Sequence, residues 1–201
     1  MAKEELDKAA HLAAIVQSSA VAIYSEDLDD NINSWNPAAE QMFGYAASEA
    51  LGQPIYLIIP EDRIEEERDV QRRIHAGEEV GYYNTVRQRK DYTRIHVSMV
   101  ASPVRTTAGV LIGVSKVARD ISAQKKVEAK LTLESALVEL SDEAIFAWDL
   151  HDGIVEWNTG CERLYGYPRE YALGRSSHEL LETIHPLRLD AFLTHLSERR
   201  E

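Results

Sequence analysis

The sequence predicts an α+β chain in which a five-stranded antiparallel sheet carries its helices on one face, with an N-terminal and a C-terminal linker helix beside it. Three observations lead there. The hydrophobic period switches along the chain in the order β-β-α-α-α-β-β-β. The stretch from Ser34 to Tyr45 reads as strand, capped short helix and glycine stop: Asn36 can accept from free amides at a helix start, Pro37 suits the first helical position, and Gly44 supplies a left-handed residue. The chain also repeats itself. Shifted by 122 positions, Ala22–Gln53 aligns without a gap on Ala144–Arg175 with 14 of 32 residues identical, which marks a duplicated domain.

Composition narrows the function classes. The net charge of −12 argues against nucleic-acid and anionic-membrane partners. A single cysteine excludes a disulfide framework and a Cys-based zinc cluster, and suits a reducing compartment. No apolar run approaches the roughly 18 residues that span a bilayer, and the N-terminus lacks a signal-peptide pattern. A cytoplasmic location is therefore expected.

Taken in order, residues 3–18 form a helix with Leu6, Ala9, Ala13 and Val16 on one stripe, which could pack on the domain's own sheet or against a second subunit. Residues 21–26 and 31–35 pair across the turn Asp27-Leu28-Asp29-Asp30. A brief helical turn lies at Ser48–Gly52, and an apolar segment, Ile55–Ile59, ends at Pro60. From Glu61 to about Ala76 a charged amphipathic helix follows, and Gly77 closes it. Val80–Arg89, the run through Ile95, Val97, Met99 and Ala101, and Val110–Ala118 complete the sheet; His96 and Ser98 alternate onto the outer face.

These motifs resemble a PAS domain of the bacterial sensor type over residues 14–122. The carriers are Asp27-Leu28, Ser34-Trp35-Asn36-Pro37-Ala38-Ala39-Glu40, Phe43-Gly44-Tyr45, Leu51-Gly52-Gln53, Ile58-Ile59-Pro60-Glu61, Arg89-Lys90-Asp91, Gly113-Val114-Ser115 and Ala118-Arg119-Asp120-Ile121-Ser122. Asp30 and Tyr92 depart from it, standing where such domains usually place glycine in two turns. The resemblance divides the chain into an N-terminal helix (1–19), a PAS domain (20–120), a signalling helix (121–140) and the N-terminal half of a second PAS domain (141–201). That half lacks three strands and is expected to be poorly ordered alone or supported by another subunit. The leucine rows of the signalling helix, Val127, Leu131 and Val138 beside Leu133, Leu137 and Leu140, predict pairing with a second copy; a solvated spacer helix is the other reading.

The resemblance also implies a ligand pocket between the sheet's inner face and the helix after Pro60, with Ile23, Phe43, Ile58, Tyr83, Thr85, Val97, Met99 and Ala101 as candidate lining or plain core. Haem is not expected: the family's histidine lies in the body of that helix, whereas His75 stands at its end and His96 on the outer face. The covalent flavin adduct is excluded, since Gln53–Ile59 holds no cysteine. Cys161 reads as a small buried residue rather than a reactive thiol. Ser177-His178-Glu179-Leu180 begins like a histidine-kinase phosphoacceptor box, but the continuation through Leu187 differs and the repeat places His178 inside the second copy. No metal site and no catalytic residue is expected. Asn36 and Asn158 are structural caps, and Asp120 is the candidate signal relay into the helix that follows. The expected function is sensing or relay for an output domain, typically a histidine kinase in a two-component phosphorelay, by a homodimer held through its N-terminal and linker helices, with a small-molecule ligand or a partner as input. A ligand-free dimerisation scaffold is the alternative.

Overall fold

The computed structural model describes residues 2–78, 80–149 and 151–183. Contacts divide the chain into two units, Met1–Lys126 and Val127–Glu201.

In the first unit, helix α1 (Ala2–Gln17) leads to strands β1 (Ala22–Glu26) and β2 (Ile32–Trp35). Short helices α2 (Pro37–Phe43) and α3 (Ala47–Ala50) follow, then two 3-10 turns and helix α4 (Ile64–His75). Strands β3 (Val80–Gln88), β4 (Arg94–Arg105) and β5 (Leu111–Asp120) close a wholly antiparallel sheet of order β2-β1-β5-β4-β3. Helix α5 (Ser122–Glu139) begins here and ends in the second unit.

Alternation decides what the sheet buries. Ile95, Val97, Met99 and Ala101 of β4 point inward, while His96 is exposed. The inner face packs on Phe43, Ile55, Ile58 and Ile59. Tyr24, Trp35 and Phe43 form an aromatic triangle with ring centroids 5.2–5.7 Å apart, and Trp35 Nε1 donates to the Tyr45 carbonyl at 3.1 Å. Asp30 and Tyr92 both adopt left-handed backbone, with φ of 65° and 66°. Their turns are held instead by Asp27, whose carboxylate accepts from the amides of Asp29 and Asn31, and by Asp91, which accepts from Thr93. Among the described side chains of the α1 stripe, Ala9 and Ala13 are exposed and Val16 is half-buried.

The described residues of the second unit repeat the opening of the first. Strands β6 (Phe146–Asp149) and β7 (Gly153–Trp157) pair antiparallel, followed by α6 (Thr159–Tyr165), α7 (Arg169–Ala172) and α8 (Ser177–Leu180). Phe146, Trp157 and Tyr165 rebuild the aromatic triangle at positions related by the 122-residue shift, and Trp157 Nε1 again donates, at 3.0 Å, to Tyr167. A small core of Ile154, Trp157, Cys161 and Ala172 lies beneath them. The tail of the histidine-kinase-like stretch, Ile184–Leu187, lies outside the described residues.

Candidate functional site

The space between α4 and the inner face holds charge. The helix presents Glu67, Val70, Gln71 and Ile74 to the sheet, the i, i+3, i+4, i+7 spacing of one face. Opposite them β1 supplies Glu26, β3 supplies Thr85 and Arg87, and β5 supplies Lys116, all buried. Lys116 Nζ lies 2.8 Å from a Glu26 oxygen and also bonds Glu67. Arg87 reaches Glu67 at 2.6 Å and the Thr85 hydroxyl at 3.0 Å. Gln71 donates to Glu26 at 3.4 Å. Two carboxylates and two cations thus neutralise one another away from water, the condition on which buried ions are tolerated. Glu26 reaches the cluster by alternation with Ala22 and Tyr24 along β1, and its backbone is approached closely by Gly113, where a Cβ would clash with the Glu26 carbonyl oxygen.

The two carboxylates are not equivalent. Burial pushes the Glu26 carboxyl up; Lys116 pulls against that, Glu67 adds to it, and the balance stays above the ordinary value. Burial acts on Glu67 too, but Lys116 and Arg87 together outweigh it and hold its carboxyl below the ordinary value. Burial likewise disfavours the charge on Lys116, and Glu67 with Glu26 overcomes it, so the ammonium is held well above its usual range. Beside the cluster, the hydroxyls of Tyr24 and Tyr83 are buried with no hydrogen-bond partner among the described residues. Burial raises both phenols, Tyr83 to about 12.

Of the eight sequence-derived lining candidates, Phe43, Ile58, Thr85, Val97, Met99 and Ala101 are buried on the inner side and Tyr83 is half-buried against the same core. Ile23 is a correction. It lies on the other face of β1, paired with the exposed Val117, because Ala22, Tyr24 and Glu26 take the inner positions. The charged residues were absent from the expected set, although their parity was visible: Arg87 alternates with Tyr83 and Thr85, and Lys116 with Val114 and Ala118.

The exit from the sheet is built at Asp120. One carboxylate oxygen accepts from the Ser122 amide at 2.8 Å, at the first residue of α5, and the other from Arg89 at 3.0 Å. The Ser122 hydroxyl accepts from the His96 amide at 2.9 Å, so the helix start is tied to β4 as well. Burial pushes the Asp120 carboxyl up, but the Ser122 hydrogen bonds and Arg89 outweigh it and hold it below the ordinary value. Asn36 and Asn158 cap α2 and α6, each accepting at 2.9 Å from the amide three residues on. Cys161 is buried in α6, where burial pushes its thiol up. His178 sits on the four-residue α8 with its ring 5.4 Å from Trp148, and His75 is exposed at the end of α4. Among the described residues, no group of three His, Cys, Asp or Glu side chains is placed to hold a metal ion, and no helix is long and apolar enough to cross a membrane.

Among known proteins, the chain is similar to phytochrome B of Sorghum bicolor, at 26% identity over 179 residues. That match covers 83% of this chain and 15% of the relative. A phytochrome of Picea abies is 25% identical over 177 residues, again 82% of this chain against 15% of the relative. The chain thus spans about one-sixth of the length of these relatives. Among solved structures, a PAS domain from Colwellia psychrerythraea superposes with a TM-score of 0.52 at 22% identity, covering 56% of this chain and 96% of that one. An RNA-binding light-oxygen-voltage receptor superposes with a TM-score of 0.55 at 25% identity, covering 64% of this chain and 36% of that one. The family described as PAS fold matches residues 10–121 and 134–201, nearly the whole sequence. The fold and this match together place the chain in the PAS family, whose members are sensory modules.

Proposed function

We propose that the chain is a cytoplasmic sensory and relay segment of a bacterial two-component sensor, a histidine kinase being the parent it would serve. A PAS domain at residues 20–120 takes the input, the helix after it carries the output, and residues 141–201 belong to a second PAS domain. The observation that carries this reading is the junction at Asp120, where one carboxylate at the end of β5 joins Arg89, the residue after β3, to the first amide of α5. Any shift of β3 or β5 then alters the start of that helix. The leucine rows of α5 are exposed along its length, with Leu131, Leu133 and Leu137 each about 60% accessible, and Leu12 and Ile15 of α1 are exposed too. A homodimer paired through α1 and α5 would cover them. The net charge of −12 weighs against a nucleic-acid partner here, whatever the RNA-binding receptor it resembles does.

The relay is tested by Asp120→Ala. Loss of a helix-start bond typically costs about 1 kcal/mol, small against a domain stability of roughly 5–15 kcal/mol. The same gap shifts a two-state equilibrium several-fold. The variant is expected to melt within a few degrees of the native chain while the output of the full-length parent changes several-fold. Output equal to wild type, or outright unfolding, would remove Asp120 from the relay.

A second reading, a ligand-free dimerisation scaffold, is favoured by one observation: Glu26, Glu67, Arg87 and Lys116 fill the interior that a ligand would otherwise line. Native mass spectrometry and absorbance of the purified chain separate the two. A bound mass or a band beyond the aromatic range supports the ligand-binding form, and bare-chain mass with no such band supports the scaffold.

A further inference from the structure

We infer that Asn36 and Asn158 act as receiver residues, each fixing the last turn of the helix that enters its unit, a role beyond capping that rests on the relay reading above. An asparagine side chain offers two donors and two acceptor lone pairs, and in both residues all four are used. Asn36 accepts from the amides of Ile23 (3.0 Å) and Ala39 (2.9 Å) and donates to the carbonyls of Val16 and Val21 (3.0 Å each). Asn158 accepts from Ile145 and Cys161 and donates to Val138 and Glu143, all at 2.9 Å. Both are 1% exposed.

Capping needs the oxygen alone, which serine, threonine or aspartate would supply equally well. The NH2 group is surplus to that task, and in both units it goes to the same place. Val16 lies in the last turn of α1 and Val138 in the last turn of α5, where helix carbonyls have no intrahelical donor. In each case the carbonyl is 20 residues before the asparagine. The same oxygen that starts the short helix also takes the amide of β1 or of the residue before β6, so one side chain joins incoming helix, strand and following helix. The orientation of the amide is unambiguous: flipped, it would set NH2 against two amides and oxygen against two carbonyls. Helix α5 is consequently held by a side chain at each end, Asp120 at its first amide and Asn158 at its last turn.

Asn→Asp tests this, because it keeps the accepting oxygen and replaces the donor with a second oxygen facing two carbonyls. In the full 201-residue chain, Asn158→Asp is expected to speed amide hydrogen exchange at Leu140 and Ser141 at least about tenfold, for two lost hydrogen bonds. The relay arm follows exchange at Ile145 and Cys161 after Asp120→Ala, alone and with Asn158→Asp. Acceleration in the single variant that vanishes on the Asn158→Asp background supports the receiver role. Equal acceleration on both backgrounds overturns it while leaving the relay reading intact. No acceleration on either removes the relay reading, and the receiver role with it. Should Asn158→Asp fail to fold, Asn36→Asp carries the test in the first unit, with Ser18 and Ser19 as reporters; native exchange rates there in a folded variant overturn the assignment.

Discussion

Tyr24 occupies the centre of the first unit, wedged between Trp35 and Phe43 on one side and the charged cluster on the other. Its hydroxyl is buried without a hydrogen-bond partner among the described residues, which costs about 1–3 kcal/mol relative to a satisfied group. Tyr24→Phe should therefore raise stability in urea by up to that amount, and the second unit already carries Phe146 at the related position. A loss of stability of 1 kcal/mol or more would reveal a partner that the hydroxyl finds in solution. The neighbouring Ile23 shows how far residue-level reading reaches. Its side chain is apolar and Glu26 is charged, so hydropathy alone assigns the faces of β1 backwards; the alternation is right and its phase is wrong. At Asp30 and Tyr92, by contrast, the family resemblance marked two turn positions where glycine is usual, and both adopt left-handed backbone. A side chain there carries roughly 1–2 kcal/mol of backbone strain, which the Asp27 and Asp91 hydrogen bonds offset.

At the scale of elements, α4 is joined to the sheet by ions where an apolar seam would be ordinary. Breaking one member of a buried pair costs about 3–5 kcal/mol because it leaves an uncompensated charge. Lys116→Met is expected to lose that much in urea unfolding, and a loss under 1 kcal/mol would mean that water reaches the cluster. The two carboxylates give opposite pH signatures. The depressed Glu67 contributes stability that is present above the ordinary carboxylate value and fades as pH falls through its folded value. For the raised Glu26, the folded state keeps the proton at a pH where the unfolded chain has released it, so its contribution weakens as pH climbs through its folded value. Carboxyl carbon NMR should find Glu26 titrating above the ordinary value and Glu67 below it, and Glu26→Gln should flatten the stability slope on the neutral side. An unchanged slope assigns it to another group. The succession of strands and helices along the chain was legible because it follows from period and punctuation. The cluster was harder to read, since a charge on an inward position conflicts with hydropathy until its partners on three other elements are seen.

At the scale of the molecule, the first unit holds the five-stranded sheet, whereas the described part of the second holds two strands. Limited proteolysis should cut within the exposed helix α5, leave a resistant core ending between residues 120 and 140, and degrade the C-terminal piece once it is released from that helix. A resistant fragment covering 141–201 in a monomer would overturn the expectation that this segment needs further support. The charged interior also has a genetic consequence. Exchanging Lys116 or Glu67 alone strands a buried ion, since each bridges two partners of opposite charge, although replacing buried ion pairs by apolar residues together is often neutral or stabilising. Single-step drift is blocked at these positions, so the interior changes as a set. Within one polypeptide the repeat differs at two inward positions of its first strand, Tyr24 and Glu26 in one copy, Phe146 and Trp148 in the other. Duplication is a route around the obstacle: while one copy keeps its ions and its fold, the other is free to pass through the unfavourable intermediates and acquire an interior of different chemistry.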